Sequence, residues 1–139
     1  MANSSSNGQA PFAMLVDDDG ATAEMYRFGL EHAGFRVRVL GDAAALFRAL
    51  DDEVPDILVL DWQLPGMNGA EALELLRGHD RGAWLPVFML SNFLGDQNGA
   101  VDRVFAAGAL AWLSKAVTPP SVLAERLTEA LASRRKSTA

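Results

Sequence analysis

The sequence predicts an α/β domain built on a parallel sheet with helices on both faces. Three observations carry this. Short apolar runs of strand length alternate five times with stretches of helical period. The runs at Phe12–Val16 and Ile57–Leu60 are apolar without alternation, as strands buried on both faces are. Four of the five runs end in a polar residue.

The elements follow in order. Residues Met1–Pro11 are polar, uncharged and rich in Ser and Asn, and read as a disordered tail (1–11). Phe12–Val16 is the first strand, and it runs straight into Asp17, Asp18 and Asp19. Three adjacent carboxylates call either for a bound cation or for a solvated turn feeding a helix. From Ala21 to Ala33 the apolar positions Ala21, Met25, Phe28 and Gly29 recur at helical spacing, and Gly34 is the stop. Phe35–Leu40 alternates apolar and basic residues, which predicts a strand with one solvated face at an edge of the sheet. Asp42 caps a helix through Leu50, with Ala45, Leu46 and Ala49 on one side.

Ile57–Asp61 is the central strand, broken by Pro65, Gly66, Asn68 and Gly69. A helix runs from Asn68 or Gly69 to Arg77, with Ala72, Leu73 and Leu76 inward. A polar connection leads to the fourth strand, Pro86–Ser91. After a mixed loop, Val101–Ala107 is a helix closed by Gly108, and Ala109–Leu113 is the fifth strand, followed by Ser114 and Lys115. Pro119, Pro120 and Ser121 open a last helix to about Ser133. The domain thus spans 12–133, with 134–139 a basic C-terminal tail whose charges complement the helix dipole.

Bulk composition narrows the function. The 139 residues, 50% hydrophobic and 22% charged, suit one globular domain with one core. A net charge of −6 argues against a nucleic-acid-binding face and fits a carboxylate-rich site for a hard cation. With no cysteine, disulfides and thiolate metal sites are excluded, and a cytosolic location is compatible. The longest nearly continuous apolar stretch, Val104–Leu113, is too short to cross a membrane. The N-terminal MANSSSNGQA has no basic residue and no apolar core, unlike a signal peptide.

If the strands are parallel, four polar strand ends meet on one edge: Asp17 and Asp18, Asp61, Ser91 and Lys115. At 4–5 Å and an effective dielectric of 20, each carboxylate pair repels by roughly 3–4 kcal/mol, so the cluster calls for a cation. Oxygen ligands without His or Cys favour magnesium or manganese over zinc. A carboxylate beside such a metal can act as a nucleophile and form an acyl phosphate, with ammonium and hydroxyl sharing the phosphoryl charge.

LVDDD, LDWQLPGMNG, the Ser of VFMLS and the Lys of AWLSK, in that order, resemble the receiver domain of bacterial two-component response regulators. The resemblance covers Ala13–Ser133 and implies a flavodoxin-like fold with strand order 2-1-3-4-5. It implies that Asp61 accepts a phosphoryl group from a histidine kinase or histidine phosphotransfer protein in the cytoplasm. Asp17, Asp18, Asp61 and the backbone carbonyl of Gln63 would hold Mg2+, or Mn2+ in its place. Ser91 would bond the phosphoryl group, and Lys115 would pair with Asp61 and then with the phosphate. Trp112 stands where the family has the aromatic that swings inward as Ser91 moves. The face of the fourth helix, fifth strand and fifth helix would switch binding of a downstream protein target or effector domain.

The chain departs from the family at three positions. Asn92 follows Ser91 where Ala or Gly is usual, Phe93 comes next, and both side chains would flank the phosphoryl group and set access to it. Ala116 follows Lys115 where a cis proline is usual, so a trans bond and a reshaped loop to Pro120 are expected. Plainer roles stand beside these: Asp61 or Ser91 as caps, Lys115 as a surface lysine, Trp112 as core, and Trp62 and Trp84 as partly buried packing residues. Three other functions share parts of this pattern. A magnesium-dependent phosphatase with an aspartate nucleophile would want an acid two residues on, where Gln63 stands. A nucleotide- or flavin-binding module would want glycines where Asp17–Asp19 stand. A degenerate receiver acting by protein contacts alone would not need the full polar set. Oligomeric state is not encoded in any of these features.

Overall fold

The structure, a computed structural model, describes residues 9–92 and 99–138, with side chains through 134. The elements in order are β1 (Phe12–Val16), α1 (Gly20–His32), β2 (Arg36–Leu40), α2 (Ala43–Asp52), β3 (Ile57–Asp61), β4 (Gln63–Leu64) and β5 (Met67–Asn68). They continue with α3 (Gly69–Arg77), β6 (Val87–Ser91), α4 (Ala100–Ala106), β7 (Ala111–Ser114) and α5 (Pro120–Thr138).

Five strands form one parallel sheet in the order β2-β1-β3-β6-β7. Counting only these five, this is the expected 2-1-3-4-5. Alternate residues of the central strands feed two cores. Met14, Val16, Leu58, Leu60 and Met89 point into a layer under α2, α3 and α4. Ala13, Leu15, Ile57, Val59 and Phe88 point into a second layer under α1 and α5. Both faces are buried, which is why these strands read as continuous apolar runs. The edge strand β2 exposes Arg36 and Arg38, as its alternation predicts.

Several sequence expectations are corrected. The stretch after Asp61 is a small antiparallel hairpin, β4 pairing with β5 through Gln63↔Asn68 and Leu64↔Met67. Pro65 and Gly66 make its turn, and the φ of +79° at Gly66 explains the glycine. The buried face of α1 is Ala23, Tyr26 and Leu30, whereas Met25 and Phe28 are exposed, Phe28 to 71%. Two apolar stripes run along this helix, and the sheet takes the one carrying the tyrosine. The last helix does not stop near Ser133 but continues to Thr138, so 134–138 prolong it. Trp62 is buried, while Trp84, expected to be partly buried, is 85% exposed. Among the described residues no peptide bond is cis, so the bond before Ala116 is trans as expected, and Lys115–Val117 form a 3-10 turn.

Candidate functional site

Strand register brings the polar residues together. Val16 pairs with Leu60, so Asp17 and Asp61 leave adjacent strands side by side. Asp61 aligns with Leu90, and Ser91 with Ser114, so Ser91 and Lys115 stand one step further along the same edge. Carboxylate oxygens of Asp17, Asp18 and Asp61 all lie within 4.8 Å of one another. Asp17 and Asp61 are buried, and Asp18 is exposed.

Asp19, third of the acidic run, has the plainer role. It is the N-cap of α1, accepting from the backbone N–H of Ala21 at 3.2 Å and of Thr22 at 3.4 Å, and from Thr22 Oγ1 at 2.9 Å. Those bonds hold its carboxyl below the usual range, the Thr22 hydroxyl contributing most. The helix-start reading of the acidic triplet therefore holds for Asp19, while Asp17 and Asp18 lie in the carboxylate cluster with Asp61. Asp19 N–H in turn donates to Asp17 Oδ1 at 3.0 Å, which fixes one oxygen of Asp17.

Lys115 Nζ lies 2.8 Å from Asp17 Oδ2 and 3.4 Å from Asp61 Oδ2, with its side chain only 8% exposed. The expected partner was Asp61, and the shorter bond is to Asp17. Burial works against the charge on this amine, but the bond to Asp17 and the fields of Asp61 and Asp17 outweigh it, so its pKa is raised. Asp61 goes the other way for a carboxylate. Burial lifts its pKa from 3.8 to about 6, Lys115 opposing and Asp17 adding to the rise. Gln63 N–H donates to Asp61 Oδ1 at 3.4 Å, and the Gln63 side chain is exposed on β4.

Behind the carboxylates, α3 starts against the strand end. Gly69 N–H donates to Trp62 O at 2.7 Å, and a Cβ on Gly69 would come 3.1 Å from Asp61 O and 2.3 Å from Met89 Cε. Asn68 caps α3 in a reciprocal box with Glu71. Ser91 is fully buried at the end of β6. Asn92 beside it is exposed, and Phe93 lies outside the described residues. The half-buried Trp112 ring packs on Trp62, centroids 5.3 Å apart and planes tilted by 46°. Register and burial thus bring Asp17, Asp18, Asp61 and Lys115 into one crevice with Ser91 at its edge.

The donor set fits a hard divalent cation: three carboxylates in reach of one point, with one ammonium against two buried charges. Sequence reading missed Tyr26, whose hydroxyl reaches the loop after Lys115. No motif marks a contact between residues 92 apart in the chain.

Known proteins resemble the chain in sequence and in fold. The family model of the response regulator receiver domain matches residues 13–128. The phosphate regulon transcriptional regulatory protein PhoB of Rhizobium meliloti (strain 1021) is 34% identical over 116 residues, 82% of this chain and 49% of that protein. This chain spans about half or less of the length of its curated relatives. A CheY-like receiver domain protein from Methanospirillum hungatei JF-1 has a TM-score of 0.82 at 26% identity, covering 93% of this chain and 99% of that one. A putative response regulator from Chloroflexus aurantiacus J-10-fl has a TM-score of 0.78 at 31% identity, covering 89% and 99%.

Proposed function

Because this chain belongs to the family of response regulator receiver domains, we propose that Asp61 is its phosphoacceptor, serving as a switch and not as a turnover enzyme. The observation that carries this is the placement of Asp61 beside two further carboxylates and under the Lys115 ammonium. An Asp61 oxygen attacks the phosphorus of a phosphohistidine on a kinase or phosphotransfer protein. The P–N bond breaks, the imidazole keeps the electron pair and takes a proton, and an acyl phosphate remains on Asp61.

Asp17, Asp18 and Asp61, with the Gln63 carbonyl, would hold Mg2+ or Mn2+, which supplies charge neutralisation for the phosphoryl oxygens. Lys115 leaves its carboxylate partners to pair with the new phosphate, and the Ser91 hydroxyl bonds it from the strand end. Trp112 follows Ser91 inward and changes the surface of α4, β7 and α5, where a downstream protein or effector domain binds. Asn92 flanks the phosphoryl group and sets its lifetime; an unchanged dephosphorylation rate in Asn92→Ala would remove that role. The net charge of −6 favours protein partners for this domain. No helix among the described residues is long and apolar enough to cross a membrane. The domain works in the cytoplasm, where its phosphodonor kinase presents the phosphohistidine.

The test uses acetyl phosphate with magnesium. An acid-stable, base-labile adduct is expected on the wild-type chain and none on Asp61→Asn. No adduct on the wild type, or an equal one on Asp61→Asn, would overturn the proposal.

A further inference from the structure

We propose that Tyr26 is a positioning residue for the phosphoryl site, holding through the Thr118 carbonyl the turn that carries Lys115. The proposal rests on the reading of Asp61 and Lys115 given above. It makes α1 a strut between the two halves of the site.

On one side Lys115 follows β7, whose Ser114 is paired with Ser91 in the sheet; on the other side little local structure holds it. It opens a single 3-10 turn, Lys115–Val117, secured by Ser114 Oγ accepting from Ala116 N–H at 3.2 Å. Ala116 and Val117 are exposed, Pro119 and Pro120 lack backbone N–H groups, and the last helix starts at Pro120. A long-range bond anchors this segment. Tyr26 Oη donates to Thr118 O at 2.6 Å, with Tyr26 completely buried and Thr118 3% exposed. One turn along α1, Gly29 meets the same segment. A Cβ there would come 2.2 Å from Pro120 Cβ, so the helix backbone and the proline ring are in direct contact.

The other end of α1 is fixed to the acidic loop. Asp19 caps it, and Asp19 N–H holds Asp17 Oδ1. The same helix therefore touches the loop bearing Asp17 and Asp18 at its start and the lysine turn one to two turns later. Tyr26 also lies within electrostatic reach of Lys115 and Asp17. Burial pushes its phenol up, so it remains a donor at neutral pH. The Lys115 side chain is only 8% exposed, and its Nζ lies between the carboxylates of Asp17 and Asp61. A shift of its backbone therefore moves Nζ, because the packed stem has no slack to absorb it.

Tyr26→Phe removes the hydroxyl and keeps the ring. Adduct formation from acetyl phosphate should slow about tenfold, as for a misplaced charge-bearing group. The magnesium half-saturation, read from thermal shift, should stay at the wild-type value because Asp17, Asp18 and Asp61 stay in place. A merely structural role would lower stability without that split. Adding Tyr26→Phe to Lys115→Ala should slow the reaction no further than Lys115→Ala alone. Wild-type speed in Tyr26→Phe, or additive losses in the double variant, would overturn the strut. If the wild type itself forms no adduct, the underlying reading fails and this one with it. Should Tyr26→Phe not fold, a measurement that keeps Tyr26 still decides. Tyr26 is the only tyrosine, so fluorotyrosine labelling gives one fluorine NMR resonance. Lys115→Ala should shift it, and an unmoved resonance would overturn the proposal.

Discussion

Asp61 is buried beside Asp17 with only one ammonium between them, and burial is what lifts its pKa from 3.8 to about 6. Between those two values the folded chain keeps a proton that the unfolded chain has released. Metal-free stability therefore falls as pH rises through that window. Asp61→Asn carries no such charge. It should melt above the wild type at pH 7 in chelator, by at most about 3 kcal/mol, and the gap should close as pH falls below about 4. A pH series of thermal melts on both proteins checks this. Asp18 is a different case. It is exposed and belongs to the same carboxylate cluster. Asp18→Asn should leave the metal-free melt unchanged while weakening the response to magnesium.

Among the elements, α4 is fastened at its far end by Arg77 of α3. The guanidinium donates to the carbonyls of Ala107 at 2.7 Å, Gly82 at 2.9 Å, Leu85 at 2.7 Å and Gly108 at 3.2 Å. Burial lowers the pKa of this arginine, with no carboxylate to offset it. Arg77→Met would strip four carbonyls of a charged donor and should cost about 2–3 kcal/mol in urea denaturation. The Arg103–Glu74 pair between the same helices is exposed, and Glu74→Ala should change almost nothing. Much of this scale was legible in the sequence. The alternation of strands and helices, the caps at Asp42 and Asn68, and the convergence of Asp17, Asp18, Asp61 and Lys115 follow from apolar runs and what ends them, whereas the strand order follows from the family resemblance. The inward stripe of α1 was not legible, because Met25 and Phe28 repeat at helical spacing as well as Tyr26 and Leu30 do. Periodicity gives the helix but not which of two stripes meets the sheet. The β4–β5 hairpin was hidden by its two-residue strands, and the contact of Tyr26 with Thr118 by its length in sequence.

The molecule as a whole places two cores on a sheet and leaves the charged work to one edge of it. A ligand of that edge that does not bind the unfolded chain should stabilise the entire domain. Magnesium at a hundred times its dissociation constant should add about 2.7 kcal/mol, seen as a higher melting temperature that saturates with concentration. Asp61→Asn should blunt this shift, reversing its advantage in chelator. The packed, mutually tilted indoles of Trp62 and Trp112 bridge this edge, one next to Asp61 and one on the outer strand that leads to Lys115. At 5.3 Å their transition dipoles couple, so the pair should produce an exciton couplet in circular dichroism. Trp84, 85% exposed, stands apart as an uncoupled background chromophore. The chain therefore carries a built-in optical ruler across its candidate site, whose signal changes sign or size when the two strand ends shift against each other.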